Sequence, residues 1–284
     1  MNIDYAGNGF LCEKAENTIS ISFDTELTCI PPQPYFVLND TEYGEHDMED
    51  FSGKKAFIIG GSRGIGAAIV RRLASEGASV RFTWAGSRTK AEDLARQTGT
   101  EAIQADATDR SAIVTATRDA GPIDIFVFNA GICVAGDPLT LKPDDVDRMI
   151  DINIRAAYHC AIEAARSMPD GGRIILIGST NANRVPFKGL AAYSMTKSAL
   201  QSMVRGLARD FGERHITVNV IQPGPTDTDM NPANGPEADL MHSVMAIKEH
   251  GSAEDVAAYV SFLAGHAARG ITGGMQTIDG GFSA

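Results

Sequence analysis

Tyr193 and Lys197, four positions apart, are a pair suited to proton transfer. On a helix, positions i and i+4 share a face one turn apart, so the ammonium would sit close to the phenol. A neighbouring positive charge favours phenolate and lowers a tyrosine pKa from about 10. The phenol then becomes a usable acid near neutrality. Such pairs also occur on ordinary surface helices, so this one matters only if the chain supplies a cofactor site and a carbonyl-polarising partner. It supplies both.

The strands and helices around the pair can be read from the pattern. Ala56 to Ile59 reads as a buried strand and Ala67 to Glu76 as an amphipathic helix, with Gly60-Gly61-Ser62-Arg63-Gly64-Ile65-Gly66 between them. Glycines there let the backbone turn tightly and bring a pyrophosphate to the helix N-terminus, where free N–H groups favour anions. The second strand, Ser79 to Trp84, ends in Ala85-Gly86-Ser87-Arg88, without the acid that usually binds a ribose 2′-hydroxyl. Ser87, Arg88 and Arg63 would attract a 2′-phosphate, which favours NADP(H) over NAD.

Further strands are expected at Ala102 to Ala105, Ile123 to Phe128, Arg173 to Gly178, Thr217 to Ile221 and Met275 to Ile278. Helices are expected at Lys90 to Gln97, Asp144 to Ala165, Tyr193 to Phe211 and Ala253 to Ala264. This alternation predicts an α/β, single-domain Rossmann-type doubly wound parallel sheet with helices on both faces. Gly60, Asp106, Asn129-Ala130-Gly131, Ser179 and Pro223-Gly224 then all fall at carboxyl strand ends, where such sheets bind ligands. Asp106 is placed to accept from an adenine amine, and Asn129 to Gly131 to let a cofactor lie on the sheet. Residues 226–248, with a helix from Glu237 to Ile247, read as a mobile lid.

Residues 1–47 stand apart. They hold nine acidic residues and one base, Lys14, so −8 of the net −11 lies there. A short strand over Thr18 to Phe23 and a break at Ile30 to Pro34 are expected, within an acidic extension that is poorly ordered. The domain proper is expected over residues 48–284, so a chain starting at Met48 should keep the sheet and the cleft.

The net charge argues against a nucleic-acid polymer as partner. No apolar run is long enough to span a bilayer, so no membrane association is expected. No secretory leader pattern is visible, and the four cysteines and six histidines lack ligand spacing. A cytoplasmic protein with no metal is the expectation. Cys133, Cys160, Met230, Met241 and Met245 read as packing residues.

Together, Gly60-x3-Gly64-x-Gly66, Asp106, Asn129-Ala130-Gly131, Asn153, Ser179, Tyr193-x3-Lys197 and Pro223-Gly224-x3-Thr228 resemble the motif set of the short-chain dehydrogenase/reductase family, from about Phe51 to Ala284. Gly60 to Arg72, Ala85 to Ser87 and Gln222 to Pro236 are most similar to a bacterial subgroup, the cyclic-di-GMP-binding biofilm dispersal mediators. The resemblance implies hydride transfer between NADP(H) and a small carbonyl or alcohol substrate.

It implies Tyr193 as acid, Ser179 as hydrogen-bond donor to the carbonyl, Lys197 on the nicotinamide ribose, and Asn153 holding a water that links Lys197 to solvent. The cofactor contacts it implies are Gly60, Ser62, Arg63, Gly64, Ile65, Gly66, Ala85, Gly86, Ser87, Arg88, Asp106, Asn129, Ala130, Gly131, Tyr193, Lys197, Pro223, Gly224, Thr226 and Thr228.

The subgroup also implies a regulatory alternative, in which the chain sequesters cyclic-di-GMP with little turnover, Arg184 and Lys188 being candidate phosphate ligands. The family's habit implies a homotetramer or homodimer, with Ala156, Ala157, Ala161, Ala164 and Ala165 allowing close helix approach.

Two departures stand out. Ile59 replaces the threonine many members carry before the first glycine, so one turn-stabilising bond is missing. Ser179 lies fourteen residues before Tyr193 where thirteen is common, so either the loop from Asn181 to Gly189 has an extra residue or Thr180 takes the serine's role. Ser179 is favoured, because it ends the strand directly.

Overall fold

The computed structural model describes residues 3–5, 10–14, 17–21 and 49–284. The chain divides into two compact units, Met1–Asp47 and Met48–Ala284. In the first, strands β1 (Ile3–Tyr5), β2 (Phe10–Lys14) and β3 (Asn17–Ile21) form an antiparallel sheet. β3 covers most of the strand expected over 18–23, shifted by one residue, while its two partners carried no clear alternation. The proline-containing break at 30–34 and Cys29 lie outside the described residues.

The second unit is built on seven strands: β4 (Lys55–Ile59), β5 (Ser79–Trp84), β6 (Glu101–Gln104), β7 (Ile125–Phe128), β8 (Arg173–Ile177), β9 (Thr217–Pro223) and β10 (Met275–Ile278). They form one parallel sheet in the order β10-β9-β8-β7-β4-β5-β6. Parallel strands need covering on both faces, which is why β4, β7 and β8 are almost unbroken apolar runs and every residue of β9 is buried. Phe57, Ile59, Phe126 and Phe128 face one layer, and Ile58, Val80, Phe82 and Val127 face the other.

Helices α1 (Gly64–Ser75), α2 (Arg88–Thr98), α3 (Arg110–Asp119), α4 (Pro143–Ile150), α5 (Ala157–Ser167), α6 (Ala191–Phe211), α7 (Ala238–Val244) and α8 (Ala253–Ala264) complete the unit. Residues of α1, α2 and α8 pack on one face, and those of α3, α5 and α6 on the other. The chain runs outward from β4 through β5 to β6, then returns to place β7 on the other side of β4. That reversal opens a crevice at the carboxyl ends of β4 and β7.

Four local expectations are corrected. The helix expected over 144–165 is α4 and α5 joined by a π-helical turn, Asp151–Ala156. α3 was not foreseen; its signal is Asp109, whose carboxylate caps the helix by accepting from the Ala112 amide at 3.0 Å. The lid helix stops at Val244 because Met245 turns extended (φ −88°, ψ 150°) and buries its side chain in the domain. Finally, Ala156, Ala157, Ala161, Ala164 and Ala165 are all buried within this unit, packed beneath the sheet. They are therefore not a free face for another copy. Among the described residues, no helix is long and apolar enough to cross a membrane.

Candidate active site

The cleft starts at the turn after β4. The Gly60 amide donates to the Thr83 hydroxyl of β5 at 3.0 Å, so the bond thought lost with Ile59 comes from the neighbouring strand. Asn129 and Ala130 both donate their amides to the Ile59 carbonyl, and the Asn129 side chain donates to the Gly60 carbonyl at 2.7 Å. The ends of β4 and β7 are thereby tied together. A Cβ on Gly66 would sit 2.1 Å from the Gly60 oxygen, so only glycine lets α1 start this close to the turn. Arg63 at the start of α1 gives no side-chain cap, which leaves the first-turn amides for an anion.

A cleft of about 630 Å3 lies over this turn. Of the expected cofactor contacts, Gly60, Ser62, Arg63, Gly64, Ile65, Ala85, Gly86, Ser87, Asp106, Asn129, Ala130, Gly131, Tyr193, Lys197 and Thr228 line it. Gly66, Arg88, Pro223, Gly224 and Thr226 do not. The Arg88 guanidinium stands over the ring of Trp84, itself a wall of the cleft, 5.6 Å from its centroid, a cation–π arrangement. Gly66 and Gly224 act from behind the wall: a Cβ on Gly224 would come within 2.6 Å of Asp279. Trp84, Arg148, Asp229 and Met230 line the cleft without having been anticipated. Met230 is thus a wall residue, unlike Met245.

The cleft floor carries Tyr193 and Lys197. The Lys197 ammonium lies 6.0 Å from the tyrosine ring centroid and donates to the Ile177 carbonyl at 2.9 Å. Ser179, at the end of β8, accepts from the Asn181 amide at 3.2 Å, and its side chain favours ionisation of the Tyr193 phenol. Thr180 turns the other way and donates to Asp279 at 2.8 Å. The hydroxyl that meets Tyr193 is therefore that of Ser179. Asn153, in the π turn, accepts from the Ile132 amide and donates to the Ile132 carbonyl and the Thr196 hydroxyl. Its side chain is fully engaged in holding the loop after β7.

The pKa expectation is overturned in direction. Burial pushes the Tyr193 phenol up to about 12, against the opposing pull of Ser179. Burial likewise pushes Lys197 down to about 8. Spacing places the lysine beside the tyrosine, but depth removes water from both, and the loss of solvation sets the direction of each shift. At neutral pH the phenol stays protonated.

Two further expectations change. Cys133 is exposed rather than packed, close enough to Lys197 for their charges to interact, whereas Cys160 is buried. Arg184, read as a candidate phosphate ligand, is half-buried and partly engaged. Its guanidinium donates to the backbone oxygens of Phe282 and Ala284. Lys188 is exposed.

Residues 60–283 match the family model described as enoyl-(acyl carrier protein) reductase. Over 237 residues the chain is 58% identical to the cyclic-di-GMP-binding biofilm dispersal mediator protein of Escherichia coli (strain K12), an alignment covering 84% of this chain and 100% of that protein. The chain belongs to the short-chain dehydrogenase/reductase family.

Solved members of the short-chain dehydrogenase/reductase family superpose closely on it. The crystal structure of BdcA in complex with NADPH is 59% identical, with a TM-score of 0.81, covering 82% of this chain and 95% of that one. A short chain dehydrogenase from Burkholderia cenocepacia J2315 in complex with NADP is 46% identical, with a TM-score of 0.81, covering 82% and 99%. Membership of the short-chain dehydrogenase/reductase family makes the chain an NAD(P)-dependent oxidoreductase.

Proposed function

We propose that this protein reduces a small carbonyl compound using NADPH, with Tyr193 delivering the proton. The observation that carries the reading is the buried phenol beside Lys197 and Ser179, opening on a cleft with an uncapped helix start. A neutral phenol is the protonation state that carbonyl reduction requires of its acid.

The cleft fits the dinucleotide. Gly60, Ser62, Gly64, Ile65 and Gly66 frame backbone donors suited to its pyrophosphate, and Asp106 and Asn129 to Gly131 lie where adenine and the sheet-facing portion would rest. Arg63, Ala85, Gly86 and Ser87 surround the position for a 2′-phosphate, with Arg88 stiffening the Trp84 wall. Pro223, Gly224, Thr226 and Thr228 shape the nicotinamide end. When bound, the nicotinamide supplies the hydride.

The chain's own work is the rest. Ser179 donates to the carbonyl oxygen as negative charge grows there, Tyr193 protonates it, and Lys197 holds a cation at the cleft floor. Asn153 keeps Gly131 and Ile132 in place beside Lys197; a solvent link at this residue would use its backbone carbonyl, since its amide group is occupied. NADPH consumption with diacetyl, 4-nitrobenzaldehyde or phenanthrenequinone tests the reading. No turnover of any of them would overturn it.

The cofactor choice has its own test. Arg63→Ala should weaken NADPH roughly ten-fold or more, a charge-assisted bond being worth about 1.5–3 kcal/mol, and leave NADH nearly unchanged. Equal dissociation constants for the two cofactors in the unaltered protein would sink the 2′-phosphate assignment.

The cyclic-di-GMP-binding of the E. coli relative, as its name gives it, favours a second reading in which sequestration is the main role. Calorimetric titration of cyclic-di-GMP, with and without NADPH, decides: no heat in either case removes that role. Arg184 is only partly free to support it, since one guanidinium nitrogen, Nη1, is already bonded to the backbone oxygens of Phe282 and Ala284.

The same reading places the protein in the cytoplasm as a homotetramer or homodimer. Exposed Tyr158 on α5 and Met195 on α6 supply the apolar contact that the buried alanines do not. A monomeric mass by light scattering would contradict it.

A further inference from the structure

The chain after β10 turns back on itself at Asp279-Gly280-Gly281, and both glycines take left-handed φ values, +58° and +75°. A Cβ on Gly281 would meet that of Ala246 at 2.5 Å, so the turn admits no side chain there. Its effect is to wrap donors around one carboxylate. Asp279 accepts from the Gly281 amide at 2.9 Å, the Ser283 amide at 2.9 Å, the Ser283 hydroxyl at 2.6 Å and the Thr180 hydroxyl at 2.8 Å. Burial alone would raise its pKa, but these bonds outweigh that and hold it below the ordinary carboxylate range.

Three of the four bonds close the turn on itself. The fourth does not. Thr180 lies 99 positions away in sequence and directly follows Ser179. The short turn from Ser179 is also held from α6, where Ser198 donates to the Ala182 carbonyl at 2.9 Å. On its far side Arg184 is bound to the backbone of Phe282 and Ala284. The Gly224 amide donates to the Ile278 carbonyl at 2.9 Å, and Gly224 packs on Asp279. The Asp279 carboxylate thus joins the serine turn to the closing segment of the chain, and the backbone beside it rests on the Pro223-Gly224 turn.

We propose that Asp279 is a positioning residue for the reduction: by accepting from Thr180, it fixes the orientation in which Ser179 presents its hydroxyl to the substrate carbonyl. The proposal rests on the carbonyl-reductase reading above. It acts on the transition state through Ser179, so it should appear in kcat, with cofactor affinity spared.

Thr180→Val removes only the hydroxyl and keeps the shape. It should lower kcat roughly ten- to a hundred-fold, the range that a displacement of about an ångström produces, with NADPH affinity and melting temperature little changed. Thr180→Ser restores the donor and should restore kcat. Asp279→Asn replaces an acceptor with a group that is half donor and should resemble Thr180→Val in kcat. Combining the two should cost no more than the worse one alone, since both break one link.

The assay uses NADPH with whichever of the three carbonyl probes turns over fastest. Wild-type kcat in Thr180→Val, while Tyr193→Phe is inactive, overturns the positioning role and leaves the reductase reading standing. So does a Thr180→Val loss that Thr180→Ser fails to restore, or one matched by lost NADPH affinity and melting temperature, which would mark a merely structural bond. Full activity in Tyr193→Phe, or no turnover of any probe by the unaltered protein, instead removes the reading beneath it.

Discussion

Tyr193→Phe is expected to bind NADPH as the unaltered protein does and to lose turnover by roughly a hundred- to ten-thousand-fold, the usual contribution of a positioned proton donor. The ring stays, so its packing at the cleft floor and the 6.0 Å approach of Lys197 to the ring are retained. Only the hydroxyl goes, and with it the proton that the alkoxide must receive. The phenol is held neutral by burial, so this loss should be nearly constant from pH 6 to pH 9. Fluorescence titration with NADPH and a single-wavelength assay of its oxidation separate binding from chemistry. Turnover close to wild type would end the acid role of Tyr193.

Lys197→Met should abolish most turnover and yet raise the melting temperature of the cofactor-free protein at pH 7. Lys197 is buried with its ammonium donating to one carbonyl, that of Ile177, and its pKa is pushed down to about 8. The unfolded chain, with a lysine pKa of about 10.4, binds the proton more tightly than the folded one. Between pH 8 and about 10.4 the unfolded state therefore holds more protons, and this group makes stability rise with pH. Below pH 8 the full cost of the buried charge is present.

Methionine removes that cost, of order 2–3 kcal/mol, and gives up a hydrogen bond worth about 1 kcal/mol. The net gain is roughly 1–2 kcal/mol at pH 7 and should vanish towards pH 10. Melting curves of both proteins at several pH values test it. A lower melting temperature for Lys197→Met at pH 7 would show that the ammonium is better solvated than its burial implies.

These two residues also mark where sequence reasoning stops. The strand ends were legible because β-branched and aromatic runs such as Phe57-Ile58-Ile59 and Ile125 to Phe128 declare buried parallel strands, and the glycine turn declares the anion-binding helix start behind β4. The i, i+4 spacing placed Tyr193 and Lys197 on one helix face. The pKa direction of Tyr193 was misjudged, because desolvation depends on depth and no local pattern encodes depth.

Arg184 looked free because its acceptors, Phe282 and Ala284, lie about a hundred residues on. The π turn around Asn153 has no sequence mark, since Asn153 is drawn in by the backbone of Ile132 and by Thr196 on another helix. α3 could have been found from Asp109 followed by Ile113 and Ala116, but its exposed face of Arg110, Ser111 and Thr115 hid the period.

The Thr83 hydroxyl under the Gly60 amide has a consequence for how the sheet assembles. In the native pairing Ile58 sits opposite Phe82, which places Thr83 beside the start of the glycine turn. Sliding β5 by one residue along β4 would carry every β5 side chain to the opposite face. Phe82 would leave its layer of the core and the Gly60 amide would lose its acceptor at the same moment. Misregistration is therefore penalised twice, once in apolar packing and once in an orphaned donor. The atom that closes the nucleotide turn also proofreads the strand pair on which the turn is mounted.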